Sequence, residues 1–531
     1  MIKYEKRPVR LFVVISVLFC CILARLAYIA DNYGDAVSVT RKTVKFGESR
    51  GYIYDTNLQP LVNDSEINNA AVITTPQTLK MLSDMEECEP LKASDGLFFS
   101  FESEKEIPES DISVNIKVKQ RYSSDRLCAH IIGYTDHTGA GVCGIEKSFD
   151  RLLNDASGSI SASYSGDAFG KALMGEKIEI INDNYDSPAG VVLTVDKRIQ
   201  RIAENALKSS DIKKGACVIT DVNTGAILAE ASIPAYDINN MTASLNSADS
   251  PFLDRCLNAY PVGSVFKPFI AAAGIEDGQK MNGDFECEGY YDVSGEIFHC
   301  FNSNIHGKEG LNDAVCNSCN CYFIDIGLDI GAEKICEMCS LFGFGRETRL
   351  TSCITGKAGN LPEPSSLSSP AALANLCFGQ GELLATPLQL CAAYSVFASG
   401  GIYNEPYITK ALIDSEKKEY AYYAPENSYR VLDSGVCNVI NESLMLNMLT
   451  GTGRGGAPEN VSAAGKTATA QTGKYDENGV EKLCTWFCGF FPFEKPEYAV
   501  CVFDEDGTSA SEDCAPVFKE IAEKITESIK K

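Results

Sequence analysis

The chain has 531 residues, of which 45% are hydrophobic and 22% charged, an ordinary globular composition that excludes a mainly disordered or collagen-like protein. Lys and Arg number 47 against 72 Asp and Glu, a formal net charge of -25, so no basic face is available and nucleic acid is excluded as a partner. The histidines are His130, His137, His299 and His306, and without helical metal-ligand spacing among them they exclude a His-rich zinc enzyme.

The chain begins with a basic flank, Lys3, Lys6, Arg7 and Arg10, followed by an apolar run from Leu11 to Ala30. About twenty helical residues at ~1.5 Å each reach ~30 Å, the thickness of a bilayer's hydrocarbon core. Arg25 is the one charge in the run, near its outer end, where it can snorkel. The flank predicts a cytoplasmic tail over residues 1–10, a single membrane anchor over 11–30 and an extracytoplasmic remainder. The competing reading is a cleaved signal peptide ending at Ala27 or Ala30, which Arg25 makes a poor substrate for cleavage.

Residues 31–190 carry short strand-like runs (GYIYD, NAAVITT, ISVNIKV) and a loop feeding a short helix at GVCGIEKSFDRLL. They hold no catalytic constellation and read as an α+β pedestal, a dimerisation-type or interaction module. From Gly190 the pattern changes. Val191–Val195 reads as a strand and Lys197–Leu207 as an amphipathic helix. A hairpin is expected around Asn223-Thr224-Gly225, with apolar runs on either side. Helices follow at Pro268–Ala273 and TPLQLCAAYSVFASGG, then strands at AGKTATAQTG, LCTWFCGFFP and YAVCVFDED. A last helix, Val517–Lys531, lines up Phe518, Ile521, Ile525 and Ile529. Strands first, helices in the middle and strands last predict an α+β domain over 191–531, an antiparallel sheet packed by helices.

Three motifs in this domain carry chemistry. In YPVGSVFKPF, Ser264 opens a helix and Lys267 lies one turn on, on the same face. A serine hydroxyl needs a base within reach, and a lysine serves only when its surroundings lower its pKa from ~10.4. Alone, this spacing also fits a helix cap and a surface lysine. It is joined by Ser318-Cys319-Asn320, within a helical pattern, and by Lys466-Thr467-Ala468 on a strand. Serine-x-x-lysine, serine-x-asparagine and lysine-threonine in this order form the set of active-site serine β-lactamases and penicillin-binding proteins.

On these motifs the chain resembles a class B penicillin-binding protein, a monofunctional peptidoglycan D,D-transpeptidase. SRGYIYDTNLQPL, HIIGYTD and GVCGIEKSFDRLL are similar to the family's N-terminal module. VLTVDKRIQ, DVNTGAILAEAS, FGQGELLATPLQL and TWFCGFFPFEKPEYAV are similar to its transpeptidase domain. No glycosyltransferase region or C-terminal wall-binding repeat is apparent. The resemblance implies a serine β-lactamase-like fold and a division of labour. Ser264 attacks the penultimate D-alanine carbonyl of a stem peptide and Lys267 takes its proton. Ser318 relays a proton to the leaving group, and Asn320 orients Lys267 and the substrate amide. Lys466 and Thr467 hold the terminal carboxylate, while the backbone N–H groups of Ser264 and Thr469 form the oxyanion hole. An amine from a neighbouring stem peptide resolves the acyl-enzyme. The implied partners are peptidoglycan stem peptides, β-lactams and membrane-embedded cell-wall synthesis proteins, serving division or shape, with no cofactor and no metal.

Ala468 departs from the family, which usually has glycine there. With period-two alternation it shares a face with Lys466, and its methyl is expected to push substrate outward and slow acylation. That keeps a catalytically weakened scaffold as an alternative. A β-lactamase or β-lactam sensor is the other, disfavoured by the large N-terminal module. Gly465-Lys466-Thr467 lacks the upstream glycine of a phosphate loop, since that position is Asn460, and Gly451–Gly456 is a loop before a strand, with no helix to complete a dinucleotide fingerprint. The 22 cysteines sit largely in apolar runs and read as small buried hydrophobes. Cys316-x-x-Cys319 and Cys336-x-x-Cys339 have zinc-like spacing but lie in helical patterns, so no zinc is expected there. Cys287 and Cys300 bracket an insertion that a hairpin could close, the best disulfide candidate.

Overall fold

The structure, a computed structural model, describes residues 6–33, 40–84, 97–167, 171–173, 175, 177–279, 281, 285–425, 427–475 and 479–529. Lys3 of the basic flank and the last two residues of the expected C-terminal helix lie outside the described residues. Helix α1, Lys6–Tyr33, contains a stretch, Pro8–Ile29, long and apolar enough to cross a membrane, and none of that stretch is buried by protein.

The chain divides into two compact units. The smaller takes Met1–Ser49, Ser65–Gln120 and Gly158–Asp186. In it, strand Gly158–Gly166 pairs antiparallel with Thr40–Ser49 and Glu179–Asp183. Strand Ser65–Ile73 pairs with Phe98–Glu102 and Ser113–Gln120. Ala71, Ile73, Ile116, Ile160, Ala162, Ile178 and Tyr185 form a small shared core.

The larger unit takes Arg50–Asp64, Arg121–Ser157 and Ser187–Lys531. The run GYIYD therefore packs here, as strand Tyr52–Tyr54 parallel to Gly190–Leu193. Glu146, fully buried, fastens these early segments: it accepts from Arg50 Nε at 2.9 Å, Arg121 Nε at 2.7 Å and the Tyr122 hydroxyl at 2.9 Å. A buried carboxylate is tolerable only with such pairing.

Helix α2, Lys197–Ser209, starts at Asp196, whose carboxylate accepts from the backbone N–H of Arg198 and Ile199. Strands β1, Gly215–Asp221, and β2, Ile227–Ile233, form the expected hairpin. Its turn needs Gly225 at φ 76°, and Asp221 Oδ1 accepts from the N–H groups of Asn223 and Thr224. Then come α3, Lys267–Glu276; α4, Leu311–Cys316; α5, Asn320–Ile330; α6, Pro387–Ala398; and α7, Ser434–Thr450. Thr386 and Gln389 cap α6 reciprocally. Strands β3, Ala464–Tyr475, β4, Glu481–Phe491, and β5, Tyr498–Gly507, complete an antiparallel sheet of order β2-β1-β5-β4-β3, and α8, Cys514–Ile529, closes the fold.

Strand alternation divides the core. Val500 and Val502 of β5 pack with Ala203 and Leu207 of α2 and with Phe518, Ile521 and Ile525 of α8. Ala499, Cys501 and Phe503, pointing the other way, join Phe269 of α3 and Leu390, Tyr394 and Phe397 of α6. The result is the expected α+β arrangement, an antiparallel sheet between helical layers, with β3 as an open edge. Ile529, expected on the apolar face of α8, is exposed in its last turn.

Candidate active site

The nucleophile motif folds as a tight turn rather than a plain α-helix start. Gly263–Phe266 is a 3₁₀ turn and α3 begins at Lys267. In that geometry residues three apart eclipse, so Ser264 and Lys267 stack on one face. Three bonds hold the turn: Gly263 N–H donates to Gly379 O at 2.7 Å, Trp486 Nε1 to Pro261 O at 2.8 Å and the Tyr394 hydroxyl to Val265 O at 2.9 Å. Gly263 has φ 68°, and a Cβ there would sit 3.1 Å from Ala470 Cβ and 3.3 Å from Ala468 Cβ on β3. Gly379, from the FGQG run, has no room for a side chain either, since its Cβ would overlap the Gly263 carbonyl.

The second motif lies at the break between α4 and α5, which corrects its assignment to a helix. Ser318 has φ 54°, a left-handed conformation unusual for a non-glycine residue, and Cys319 caps α5. The kink aims Ser318 inward. Lys267 Nζ donates to Ser318 O at 2.6 Å, to Asn320 Oδ1 at 2.7 Å and to Ser318 Oγ at 3.3 Å. Asn320 is itself fixed, its Nδ2 donating to His299 O at 2.8 Å.

The third motif arrives on the edge strand β3. Lys466 Nζ donates to Ser318 Oγ at 3.1 Å, to Thr467 O at 3.0 Å and to Thr452 Oγ1 at 3.3 Å. The Thr467 hydroxyl donates to Thr452 Oγ1 at 3.0 Å, and Thr452 passes a bond to Asn447 Oδ1 at 3.2 Å. Lys267 and Lys466 are thus joined by one hydroxyl, Ser318 Oγ, which lies 51 positions from the first and 148 from the second. Ser264 is half-buried above this network and, among the described residues, its hydroxyl has no hydrogen-bond partner. Thr469 stands apart from the network, its Oγ1 accepting from Ala510 N–H at 3.4 Å.

Both lysines are 0% exposed. Burial pushes Lys267 down from 10.5 to about 8, against the opposing pull of Cys319, Cys300 and Cys321. Lys466 is also lowered well below its usual value, by burial first and by the charge of Lys267 second. Two amines bridged by one hydroxyl titrate as a pair. A neutral Lys267 has two N–H groups, and the Ser318 and Asn320 carbonyl oxygens take both, which leaves its lone pair free for a serine proton.

Thr452 is the functional residue that motif reading missed. It belongs to the GTGRGG run, set aside above as an incomplete dinucleotide signature, and its contact with Lys466 arises only when that loop folds against β3. Ala468 departs from expectation as well. It is 3% exposed, and its methyl lies so close to the turn that a Cβ on Gly263 would come within 3.3 Å of it. The cysteines of the two x-x spacings do not converge: Cys316 lies 3.8 Å from Thr450 Oγ1, and Cys336 donates to Pro362 O at 3.3 Å.

Residues 215–523, more than half of the chain, match the family described as penicillin binding protein transpeptidase domain. Stage V sporulation protein D of Bacillus subtilis is 29% identical over 530 residues, covering 92% of this chain and 79% of that protein. Peptidoglycan D,D-transpeptidase MrdA of Haemophilus influenzae is 26% identical, covering 76% of this chain and 68% of that protein. The crystal structure of penicillin binding protein 3 from Mycobacterium tuberculosis, complexed with aztreonam, superposes with a TM-score of 0.65 at 22% identity, over 92% of this chain and 97% of that one. The match to the motif-bearing domain, with the three motifs meeting at Ser318, places this chain among the class B penicillin-binding proteins.

Proposed function

We propose that this chain is a peptidoglycan D,D-transpeptidase that cross-links stem peptides through an acyl-enzyme on Ser264 and is inhibited by β-lactams. The observation that carries the reading is the Ser318 hydroxyl shared by two buried lysines beneath the Ser264 turn. Ser264 Oγ attacks the penultimate D-alanine carbonyl as its proton passes to neutral Lys267. The carbonyl oxygen, now anionic, is held by the backbone N–H groups of Ser264 and Thr469. When the tetrahedral adduct collapses, the C–N bond breaks, and the proton reaches the departing D-alanine amine through Ser318. Asn320 holds Lys267 and the substrate amide, and Lys466 with Thr467 binds the terminal carboxylate. The amine of a second stem peptide then attacks the ester and Ser264 recovers its proton.

Helix α1 serves in this reading as a single membrane anchor, N-terminus cytoplasmic and bulk outside, with the paired strands of the smaller unit as the pedestal that meets cell-wall synthesis partners. The weakened-scaffold alternative rests on Ala468, whose methyl is buried close to the Gly263 turn. Labelling of membranes with a fluorescent penicillin tests the reading: the wild-type chain takes the label and Ser264→Ala does not. Equal labelling of both chains, or none of either, would sink it.

A further inference from the structure

A buried cluster beside the Ser318 turn is used by none of the chemistry above. Between α3 and α4 the chain doubles back: Phe285–Cys287 pairs with Gly307–Glu309, and Tyr290–Val293 with Glu296–His299. This brings Cys287 Sγ to 3.8 Å from Cys300 Sγ. The first turn of α5 supplies two more thiols, with Cys300 Sγ 3.7 Å from Cys319 Sγ and 3.4 Å from Cys321 Sγ. All four sulfurs are buried and lie within 4.8 Å of one another. His306 Nδ1 is 3.4 Å from Cys287 Sγ. Glu309, 1% exposed, accepts from Asn317 through Oε1, while its Oε2 has no partner. A carboxylate oxygen of Glu309 is also within 4.8 Å of the Cys287, Cys319 and His306 donor atoms. An unsatisfied buried carboxylate oxygen is costly and calls for a partner.

We propose that this cluster is a zinc-type metal site, with Cys287, Cys300 and Cys319 as thiolate ligands and Cys321 or His306 Nδ1 as the fourth. Zinc–sulfur bonds of about 2.3 Å in a tetrahedron give sulfur–sulfur edges of about 3.8 Å. The Cys287–Cys300 and Cys300–Cys319 separations, 3.8 and 3.7 Å, already match that edge. Each ligating thiol releases its proton to solvent as its sulfur–metal bond forms, and no electron is transferred. The site has a structural consequence. Cys319 lies between Ser318 and Asn320, and Asn320 bonds the carbonyl of His299, the neighbour of Cys300. A metal on Cys300 and Cys319 therefore staples the doubled-back segment to the turn that presents Ser318 and Asn320 to Lys267. The paired spacings Cys316/Cys319 and Cys336/Cys339 pointed elsewhere because the ligands come from two segments that only the fold brings together.

The test uses the full chain in detergent, purified without oxygen and with a thiol reductant, so its readout is metal and is independent of penicillin binding. Elemental analysis is expected to find a single zinc per chain. Replacement by Co²⁺ is expected to give thiolate-to-cobalt charge-transfer bands with tetrahedral d–d absorption, and X-ray absorption four ligands, either all sulfur or three sulfur and one nitrogen. Cys287→Ser and Cys300→Ser lose the metal and Cys353→Ser, an exposed cysteine, keeps it. Chelation of the wild-type chain lowers its Tm and added Zn²⁺ restores it, which does not depend on a variant folding. The proposal is overturned if the wild-type chain holds no zinc and gives no cobalt spectrum, if both cluster variants retain the metal, or if the oxygen-free protein carries a disulfide among these cysteines instead.

Discussion

Lys267 is the residue whose protonation the chemistry turns on. A charged ammonium cannot accept the Ser264 proton, and burial holds Lys267 at about 8. The active fraction is the neutral amine, so acylation by penicillin is expected to rise with pH through about 8 and level off above it. Lys466 is itself held well below its usual value, with the charge of Lys267 among the causes, so it is not the cation that sets this limb, and Lys466→Ala should leave the limb in place. A rate flat from neutral to mildly alkaline pH would contradict the assignment of Lys267 as base. Lys267→Ala itself should slow acylation by about 10²–10⁴-fold, the range for loss of a general base. For Ala468 the burial of its methyl beside Gly263 predicts a packing role. Ala468→Gly removes packing under Gly263 without opening the cleft, so stability should fall by about 0.5–1 kcal/mol, read by denaturant unfolding, with no gain in acylation rate. The placement of Ser264 and Lys267 on one face was legible in the sequence because they are three residues apart. The role of Thr452 was not, because its partners Lys466 and Thr467 are supplied by a neighbouring strand.

At the scale of elements, the large antiparallel sheet could be read directly. The strands are largely continuous buried runs, as strands covered by helices on both faces must be, and Gly225 marks the hairpin. What escaped reading was the join between elements. The break at Ser318 carries no glycine or proline, and its left-handed φ follows from where α4 and α5 must pack. The hairpin that brings Cys287 near Cys300 was legible, but the approach of Cys319 and Cys321 to them was not, because it depends on how α5 packs against these strands. The contact of Gly379 with Gly263 was equally hidden, since it joins two backbones with no side chain to signal it. Gly379→Ala is expected to displace the nucleophile turn while leaving the sheet intact. A shift of ~1 Å can cost about a hundredfold in rate, so penicillin acylation should drop by that order with the far-UV circular dichroism unchanged. An unaltered acylation rate would mean that the turn is held without this contact.

At the scale of the whole molecule, the sequence suggested one crossing between modules near residue 190, whereas by packing the early segments 50–64 and 121–157 belong with the larger unit. Such discontinuity leaves no trace in composition, and the partners of Glu146 could not be paired from the sequence alone. Glu146→Ala takes the carboxylate from half-buried Arg121 and leaves buried Arg50 with Asp150 alone, and a loss of up to about 3 kcal/mol in unfolding free energy is expected from denaturant titration. The long apolar helix at the N-terminus was easier to read, because its length and composition stand out in the sequence. A reporter fused after Lys531 should function only if it is of a kind active outside the cytoplasm. The account as a whole rests on Ser264 as the acylated residue, and peptide mass spectrometry of the full chain after penicillin treatment tests it most directly. The adduct is predicted on the peptide that contains Ser264, and absent from the Ser264→Ala chain; an adduct on the Ser318 peptide, or no adduct on the wild-type chain, would contradict it.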